Sequence, residues 1–273
     1  MLRFSLVIAL TVTLFTALFT AQSASACGAD SDCVIDNGRI YRIRMPANAT
    51  NEKVGAIVFA HGYRGSAAGV MRNKSLARMA DRLGVALIAL DAGGEDWALA
   101  NAPHPMGGRD VLAYVDNVLA DATQQFAIDP DRIMASGFSA GGMLVWTLAC
   151  ERANSFAGFV AMSGTFWAPV PATCPGPAAS LIHIHGDADK TVPLLGRAIG
   201  ATRQGEVPKA LEMYARLGGF GPSKSTQNGK LRCETRRNDT DDILTYCEFS
   251  GGHSFRTEYL RQAWEMLVEA GQL

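Results

Sequence analysis

Ser139, in the run Gly137-Phe138-Ser139-Ala140-Gly141, is the residue of this chain with the most chemistry to offer. A serine hydroxyl attacks a carbonyl carbon only when a neighbouring imidazole takes its proton. That imidazole in turn needs a carboxylate to fix its tautomer and stabilise its charged form. Five histidines are available, at positions 61, 104, 183, 185 and 253. His253 lies in Gly251-Gly252-His253-Ser254-Phe255, a glycine-rich loop between the last strand-like and the last helix-like segments, and is the expected base. His183 and His185 alternate along one apolar strand and share a face, the position of a structural histidine. His104, between two prolines, is the rival base, but it precedes the serine and breaks the usual serine, acid, histidine order.

The acid is sought in His185-Gly186-Asp187-Ala188-Asp189-Lys190-Thr191-Val192-Pro193. Asp187 sits in the tight turn after Gly186, where a carboxylate bonds backbone N–H groups. Asp189 is farther into the loop, anchored by Val192-Pro193, and is the expected acid. Acyl transfer also needs donors aimed at a developing negative oxygen, and losing one costs roughly 2.7–4 kcal/mol of barrier. The backbone N–H groups of Ala140 and of Tyr63, in His61-Gly62-Tyr63-Arg64-Gly65, are expected to supply them. A plain glycine-rich turn is the competing reading of that loop.

These residues need elements to hold them. Arg132 to Ser136 reads as a buried strand and Gly142 to Ala149 as a buried helix, so Ser139 stands at a sharp strand-to-helix turn. The flanking glycines suit strained backbone angles and a crowded turn. The pentapeptide alone also arises by chance, so its strand-helix context and its downstream partners carry the argument. Other strands are expected at Arg42 to Met45, Val54 to Ala60, Val85 to Asp91, Gly158 to Met162 and Ser180 to His185. Helical spacing runs through Leu76, Met79, Ala80 and Leu83 to a stop at Gly84, and through Val111, Leu112, Val115, Val118, Leu119 and Ala122. Further helices are expected over Pro208 to Leu217 and Thr257 to Ala270. This alternation predicts an α/β fold with a mostly parallel central sheet and helices on both faces.

The long loops Ala92 to Gly108 and Gly164 to Ala179 follow strand C-terminal ends, where open α/β sheets place their clefts. Trp97, Phe166 and Trp167 are therefore candidates to line a substrate pocket, and core packing is the competing reading.

Met1-Leu2-Arg3, the apolar run Phe4 to Phe19 and Ala24-Ser25-Ala26 read as a signal peptide over 1–26, leaving a single catalytic domain over 27–273. A membrane anchor, or a lipoprotein signal with Cys27 lipidated, are the alternatives. The remaining stretch, 273 minus 26 or about 247 residues, suits one large domain. Removing Arg3 from the 25 basic residues leaves 24 against 26 acidic ones, which gives no reason to expect a nucleic-acid or anionic-membrane partner. The six cysteines contain no Cys-x-x-Cys pair, so no metal site is expected. In an exported chain an even count reads as disulfides, and sequence proximity favours Cys27 with Cys33, Cys150 with Cys174 and Cys233 with Cys247. The last would staple Lys230 to Thr235 against Ile243 to Ser250.

With Ser139, Asp189, His253 and the His61-Gly62 loop in place, the chain resembles the α/β-hydrolase superfamily. Within it, the nearest likeness is to secreted esterases grouped with polyhydroxybutyrate depolymerases and feruloyl or acetyl-xylan esterases. The stretches that carry this are Ile128 to Ile133 leading into Gly137 to Met143, Leu148 to Arg152, His185 to Asp189 with Val192-Pro193, and Gly251-Gly252-His253. The resemblance implies an α/β-hydrolase fold, a cofactor-free serine mechanism, Asp189 as the acid, and Tyr63 and Ala140 as oxyanion donors. Such depolymerases often carry polymer-binding domains, whereas this chain is read as one domain, and Ser254-Phe255 stands where the group often has Thr-Trp.

The expected activity is that of a secreted serine esterase on a small or polymeric ester, with a hydroxyalkanoate, feruloyl or acetyl acyl group. A serine peptidase or acyltransferase on the same scaffold, or a non-catalytic binding module, are the alternatives. The sequence does not address oligomeric state.

Overall fold

The computed structural model describes residues 27–35, 38–50, 52–103 and 110–273. The expected leader and His104 lie outside the described residues.

A ten-stranded sheet forms the centre. Its strands are β1 Cys33–Val34, β2 Ile40–Arg44, β3 Val54–Ala60, β4 Ala86–Leu90, β5 Ile128–Phe138, β6 Gly158–Met162 and β7 Leu181–Gly186, continued by β10 Lys224–Asn228, β11 Leu231–Arg237 and β12 Ile243–Phe249. β8 Ala198–Ile199 and β9 Thr202–Arg203 pair separately as a small ribbon. The order across the sheet is β1-β2-β4-β3-β5-β6-β7-β12-β11-β10. The six central strands from β4 to β12 run parallel, and the outer ones are antiparallel. The mostly parallel sheet expected from the alternating pattern is therefore present.

Two helical layers cover it. Helices α1 Ala67–Met71, α2 Lys74–Leu83 and α6 Thr257–Glu269 pack on one face, and α3 Val111–Gln125, α4 Ala140–Glu151 and α5 Val207–Leu217 on the other. The two-residue period of a strand divides its side chains between the layers. In β3, Ala56, Val58 and Ala60 join the α3–α4–α5 core, while Ile57 and Phe59 join the α1–α2–α6 core. Local signals explain the helix ends. Asn73 caps α2 by accepting from Ser75 and Leu76 N–H, and Gly84 closes it at φ 67°, a left-handed conformation that a side chain would oppose. Asp110 caps α3 through Leu112 and Ala113 N–H. α4 is apolar almost all round and buried along its length, as a helix enclosed by sheet and neighbours must be.

Several elements depart from the sequence expectation: the two-residue strands β1, β8 and β9 are additional, and β2 begins at Ile40, two residues before Arg42. β5 begins at Ile128, four residues before Arg132, with a register irregularity against β3 between Val54 and Ala56. β10 is a fully polar edge strand, Lys-Ser-Thr-Gln-Asn, whose side chains offer no apolar alternation to read. α1 is a five-residue turn of helix whose Ser66 cap accepts from Gly69 N–H. The three disulfides pair as proximity suggested: Cys27 with Cys33, Cys150 with Cys174, and Cys233 with Cys247. Cys233 and Cys247 are direct cross-strand partners in β11 and β12, so the bond staples the expected hairpin.

Candidate active site

The C-terminal end of β5 runs into α4 through Ser139, whose backbone sits at φ 59°, ψ −121°. A non-glycine residue at positive φ costs on the order of 1–3 kcal/mol, and the surroundings enforce it here. A Cβ on Gly141 would lie 1.9 Å from the Ala60 carbonyl oxygen, one on Gly137 2.4 Å from the Gly141 carbonyl oxygen, and one on Gly164 2.5 Å from the Ser139 carbonyl oxygen. Only glycines let these three backbones meet at the turn. Ser139 occupies the N-cap position of α4, where serine ordinarily bonds the first-turn N–H groups, yet its side chain makes no capping bond. The strained turn withholds the hydroxyl from the helix, and the residue remains partly exposed.

The histidine loop follows β12, the parallel neighbour of β7. His253 Nδ1 lies 2.7 Å from Asp189 Oδ2. A carboxylate only accepts, so Nδ1 carries the proton and Nε2 keeps its lone pair for another partner. The His253 ring is 4.6 Å, centroid to centroid, from that of Phe138, the residue before the serine. Asp189 is buried, and its Oδ1 accepts from Thr191 N–H at 2.8 Å and Val192 N–H at 2.9 Å. Burial pushes the carboxyl up, but hydrogen bonds from His185, His253 and the Val192 N–H outweigh it and hold Asp189 well below the usual carboxylate range. Asp187 turns the other way: its Oδ1 accepts from Gly251 N–H at 3.0 Å and so ties the histidine loop to the acid loop. Its partner is backbone, as its position in the turn suggested, but 64 residues away in sequence.

The loop after β3 lies against the serine. A Cβ on Gly62 would come 3.4 Å from Ser139 Cβ. Ala140 opens α4, where the first N–H groups have no intrahelical acceptor. The Tyr63 N–H meets no acceptor among the described residues. The rest of the loop is strapped down. Arg64 N–H donates to the Glu95 carbonyl at 2.7 Å, and the Tyr63 hydroxyl donates to Glu95 Oε2 at 2.9 Å. Beneath it, buried His61 donates from Nδ1 to the Gly62 carbonyl at 2.8 Å and accepts at Nε2 from Ala92 N–H at 3.2 Å. Burial lowers the His61 imidazole below its ordinary range, consistent with this neutral tautomer.

Trp97 belongs to this support. It is 1 % exposed, its indole N–H donates to the His61 carbonyl at 2.8 Å, and its ring packs 4.8 Å from the His61 ring. The expected pocket wall is a buried prop under the loop, because its indole N–H finds a partner only there. Phe166 and Trp167 are also buried, and they line a hollow of about 140 Å³ with Thr147 and Cys150 of α4. At 1.5 Å per residue those positions are about 12 Å or more down the helix from Ser139. The structure thus pairs His253 with Asp189, sets the His253 ring against Phe138, the residue before Ser139, and lays the Gly62 turn against Ser139, while Trp97 sits beneath that loop and Phe166 and Trp167 lie farther along α4. A recess of about 190 Å³ bordered by Phe59, His61, Gly62, Phe138 and Phe255 lies beside the serine turn. A larger hollow of about 770 Å³ lies between α5 and β11–β12; neither it nor the recess is lined by any of the three triad candidates, and only the recess includes a neighbour of the serine, Phe138.

Sequence reading missed Asp187 as a tether of the histidine loop and Phe255, whose ring meets Phe59 and Phe138, as the floor of the recess. Both depend on contacts between distant segments. Among the described residues, no group of three or more His, Cys, Asp or Glu is placed to hold a metal ion, and no helix is long and apolar enough to cross a membrane.

The family described as Phospholipase/Carboxylesterase matches residues 110–204, the span from α3 through the serine turn to the acid loop. The chain is similar to a putative esterase, NocK, of Nocardia uniformis, 34 % identical over 164 residues, covering 58 % of this chain and 47 % of that protein. It thus spans about half the length of that relative. It is 26 % identical over 245 residues to a probable feruloyl esterase C of Aspergillus flavus, covering 85 % of this chain and 83 % of the other. Among solved structures, the acetyl xylan esterase from Aspergillus awamori superposes with a TM-score of 0.60 at 16 % identity, over 83 % of this chain and 93 % of that one. An S-formylglutathione hydrolase from Agrobacterium tumefaciens gives 0.58 at 16 % identity, over 85 % and 90 %. At such identities these likenesses establish the fold.

Proposed function

We propose that this chain, whose fold is that of the α/β-hydrolases and which is similar to a probable feruloyl esterase C, is a secreted serine esterase that works through an acyl-enzyme on Ser139. The observation that carries the reading is the 2.7 Å bond from His253 Nδ1 to Asp189 Oδ2, set beside a serine whose hydroxyl is kept out of helix capping.

His253 Nε2, with its lone pair free, takes the proton as Ser139 Oγ bonds to the ester carbonyl carbon. The carbonyl π electrons move onto oxygen, and the N–H groups of Tyr63 and Ala140 receive the charge. Collapse expels the alcohol, which takes the proton from His253. Water then repeats the sequence and releases the acid. Ionised Asp189 holds His253 in the tautomer this needs and stabilises its imidazolium.

The recess bordered by Phe138 and Phe255 is offered as the place for one side of the ester, since Phe138 in its apolar wall is the residue before the serine. A relative matched over most of both chains is named a probable feruloyl esterase C, which favours an aromatic acyl group over a hydroxyalkanoate. Three disulfides, including Cys27 bonded to Cys33, suit an exported form. The test is hydrolysis of methyl ferulate, acetylated xylan and hydroxybutyrate oligomers side by side with a Ser139→Ala variant. Ferulate or acetyl release that the variant loses is the expected result. Full activity in Ser139→Ala would contradict the proposal.

A further inference from the structure

Behind Asp189 lies a row of fully buried rings that the reaction above does not use. The Trp146 indole N–H donates to His183 Nδ1 at 3.1 Å, and His183 Nε2 lies 2.9 Å from His185 Nδ1. His185 Nε2 lies 2.8 Å from the Val192 carbonyl oxygen and 3.4 Å from Asp189 Oδ2. Trp146, His183 and His185 are each 0 % exposed.

Both ends of this row are one-way. An indole N–H only donates, and a carbonyl or carboxylate oxygen only accepts. His183 Nδ1 must therefore present a lone pair. Burial keeps His183 neutral, so its proton is on Nε2 and points at His185 Nδ1. His185 Nδ1 must then be a lone pair too, which places the His185 proton on Nε2, facing Val192 and Asp189. The alternative tautomer would turn a lone pair toward a carbonyl oxygen and a carboxylate inside the core. Val192 is consequently gripped at both ends of its residue: its N–H holds Asp189 Oδ1 and its carbonyl is held by His185.

We infer that His185 is a positioning residue for Asp189, its proton fixed on Nε2 by a hydrogen-bond chain of single polarity that starts at Trp146 and passes through His183. The catalytic part of this inference rests on the reading of Asp189 as the acid, whereas the tautomers do not. His185 sets the height and rotation of the Asp189 loop, so that Oδ2 meets His253 while Oδ1 stays with the loop amides. A carboxylate that swings by about 1 Å can cost on the order of a hundredfold in rate.

The test has two arms on the intact protein. With 15N-labelled histidine, nitrogen NMR near neutral pH is expected to show His183 and His185 each protonated on Nε2 and bare on Nδ1, with Trp146→Phe mixing the tautomers. In steady-state hydrolysis of an aryl acetate, His185→Gln, which keeps a donor at the Nε2 position, is expected to hold kcat within about threefold. Folded His185→Leu should lose about ten- to a hundredfold in kcat with KM within about twofold. A proton on Nδ1 of either histidine in the unmodified protein overturns the inference, as does equal loss in the Gln and Leu variants. Trp146→Phe keeps the test available should the Leu variant fail to fold. Full activity in Ser139→Ala would instead sink the esterase reading while leaving the tautomers untouched.

Discussion

Asp187 Oδ1 accepts the N–H of Gly251 at 3.0 Å, so the loop that carries Asp189 also holds the loop that carries His253, two residues before that histidine. Asp187 and Asp189 thus divide the labour of one short turn. Asp187→Ala is expected to cost about 1.5–3 kcal/mol in stability, the range for a hydrogen bond to a charged group, and about tenfold in kcat. Asp189→Asn leaves His253 without the acceptor that fixes its tautomer, and about 10⁴-fold in kcat is the expected loss. Urea unfolding with parallel kinetics checks both, and equal losses in the two variants would contradict the division.

Much of the candidate site is legible in the residue pattern alone. The strand, glycine-flanked serine and buried helix are a local pattern, and the acid and histidine loops each follow their own strand. What stays hidden is tertiary. Trp97 sits in a loop without periodicity, and only the fold reveals that its indole reaches the His61 carbonyl. His183 and His185 are readable as one strand face, but not the Trp146 N–H that gives their row a direction. β10 is unreadable because an exposed edge strand of polar residues carries no apolar signal.

Stability should fall as the pH drops through the histidine range. Burial holds His183 well below its ordinary value, and burial also lowers His61 despite the Gly62 carbonyl and nearby carboxylates. Both are neutral in the folded protein and take up protons on unfolding below about pH 6.5. The stability they contribute is present above that pH and is lost as pH falls toward their folded values, at up to about 1.4 kcal/mol per pH unit for each proton. The Asp189 carboxyl is also lowered, by bonds that outweigh burial, so its contribution persists to about pH 4 and is lost below. Urea midpoints from pH 7 to pH 3 measure this, and a flat profile between pH 6.5 and 5 would contradict the buried neutral histidines.

Two glycines separate folding from chemistry. A methyl group on Gly141 would lie 1.9 Å from the Ala60 carbonyl oxygen, so Gly141→Ala should cost about 3 kcal/mol or more. A methyl group on Gly62 meets Ser139 Cβ at an ordinary 3.4 Å, so Gly62→Ala should fold within about 1 kcal/mol of the parent. It would nonetheless crowd the serine on the side of the proposed oxyanion donors, and kcat should fall about tenfold or more. Thermal unfolding and kinetics of both variants decide the matter. An unimpaired Gly62→Ala enzyme would count against the Tyr63 loop as an oxyanion donor.

The Cys233–Cys247 bond closes a sequence separation of 14 residues between β11 and β12, and neither cysteine is among the residues assigned to the proposed mechanism. Replacing both cysteines by serine should lower stability by about 2–3 kcal/mol through the freedom returned to the unfolded chain. Turnover at 25 °C should hold within about twofold. Loss of activity in a folded double variant would mean that the hairpin reaches the site.

The central claim is that the acyl group passes through Ser139. Mass spectrometry of the protein quenched during turnover of a slow aryl ester, followed by mapping of the modified peptide, tests it most directly. The predicted result is one acyl adduct per chain, on Ser139, that vanishes with activity in Ser139→Ala. Sustained hydrolysis with no adduct on Ser139, or with the adduct on another residue, would contradict it.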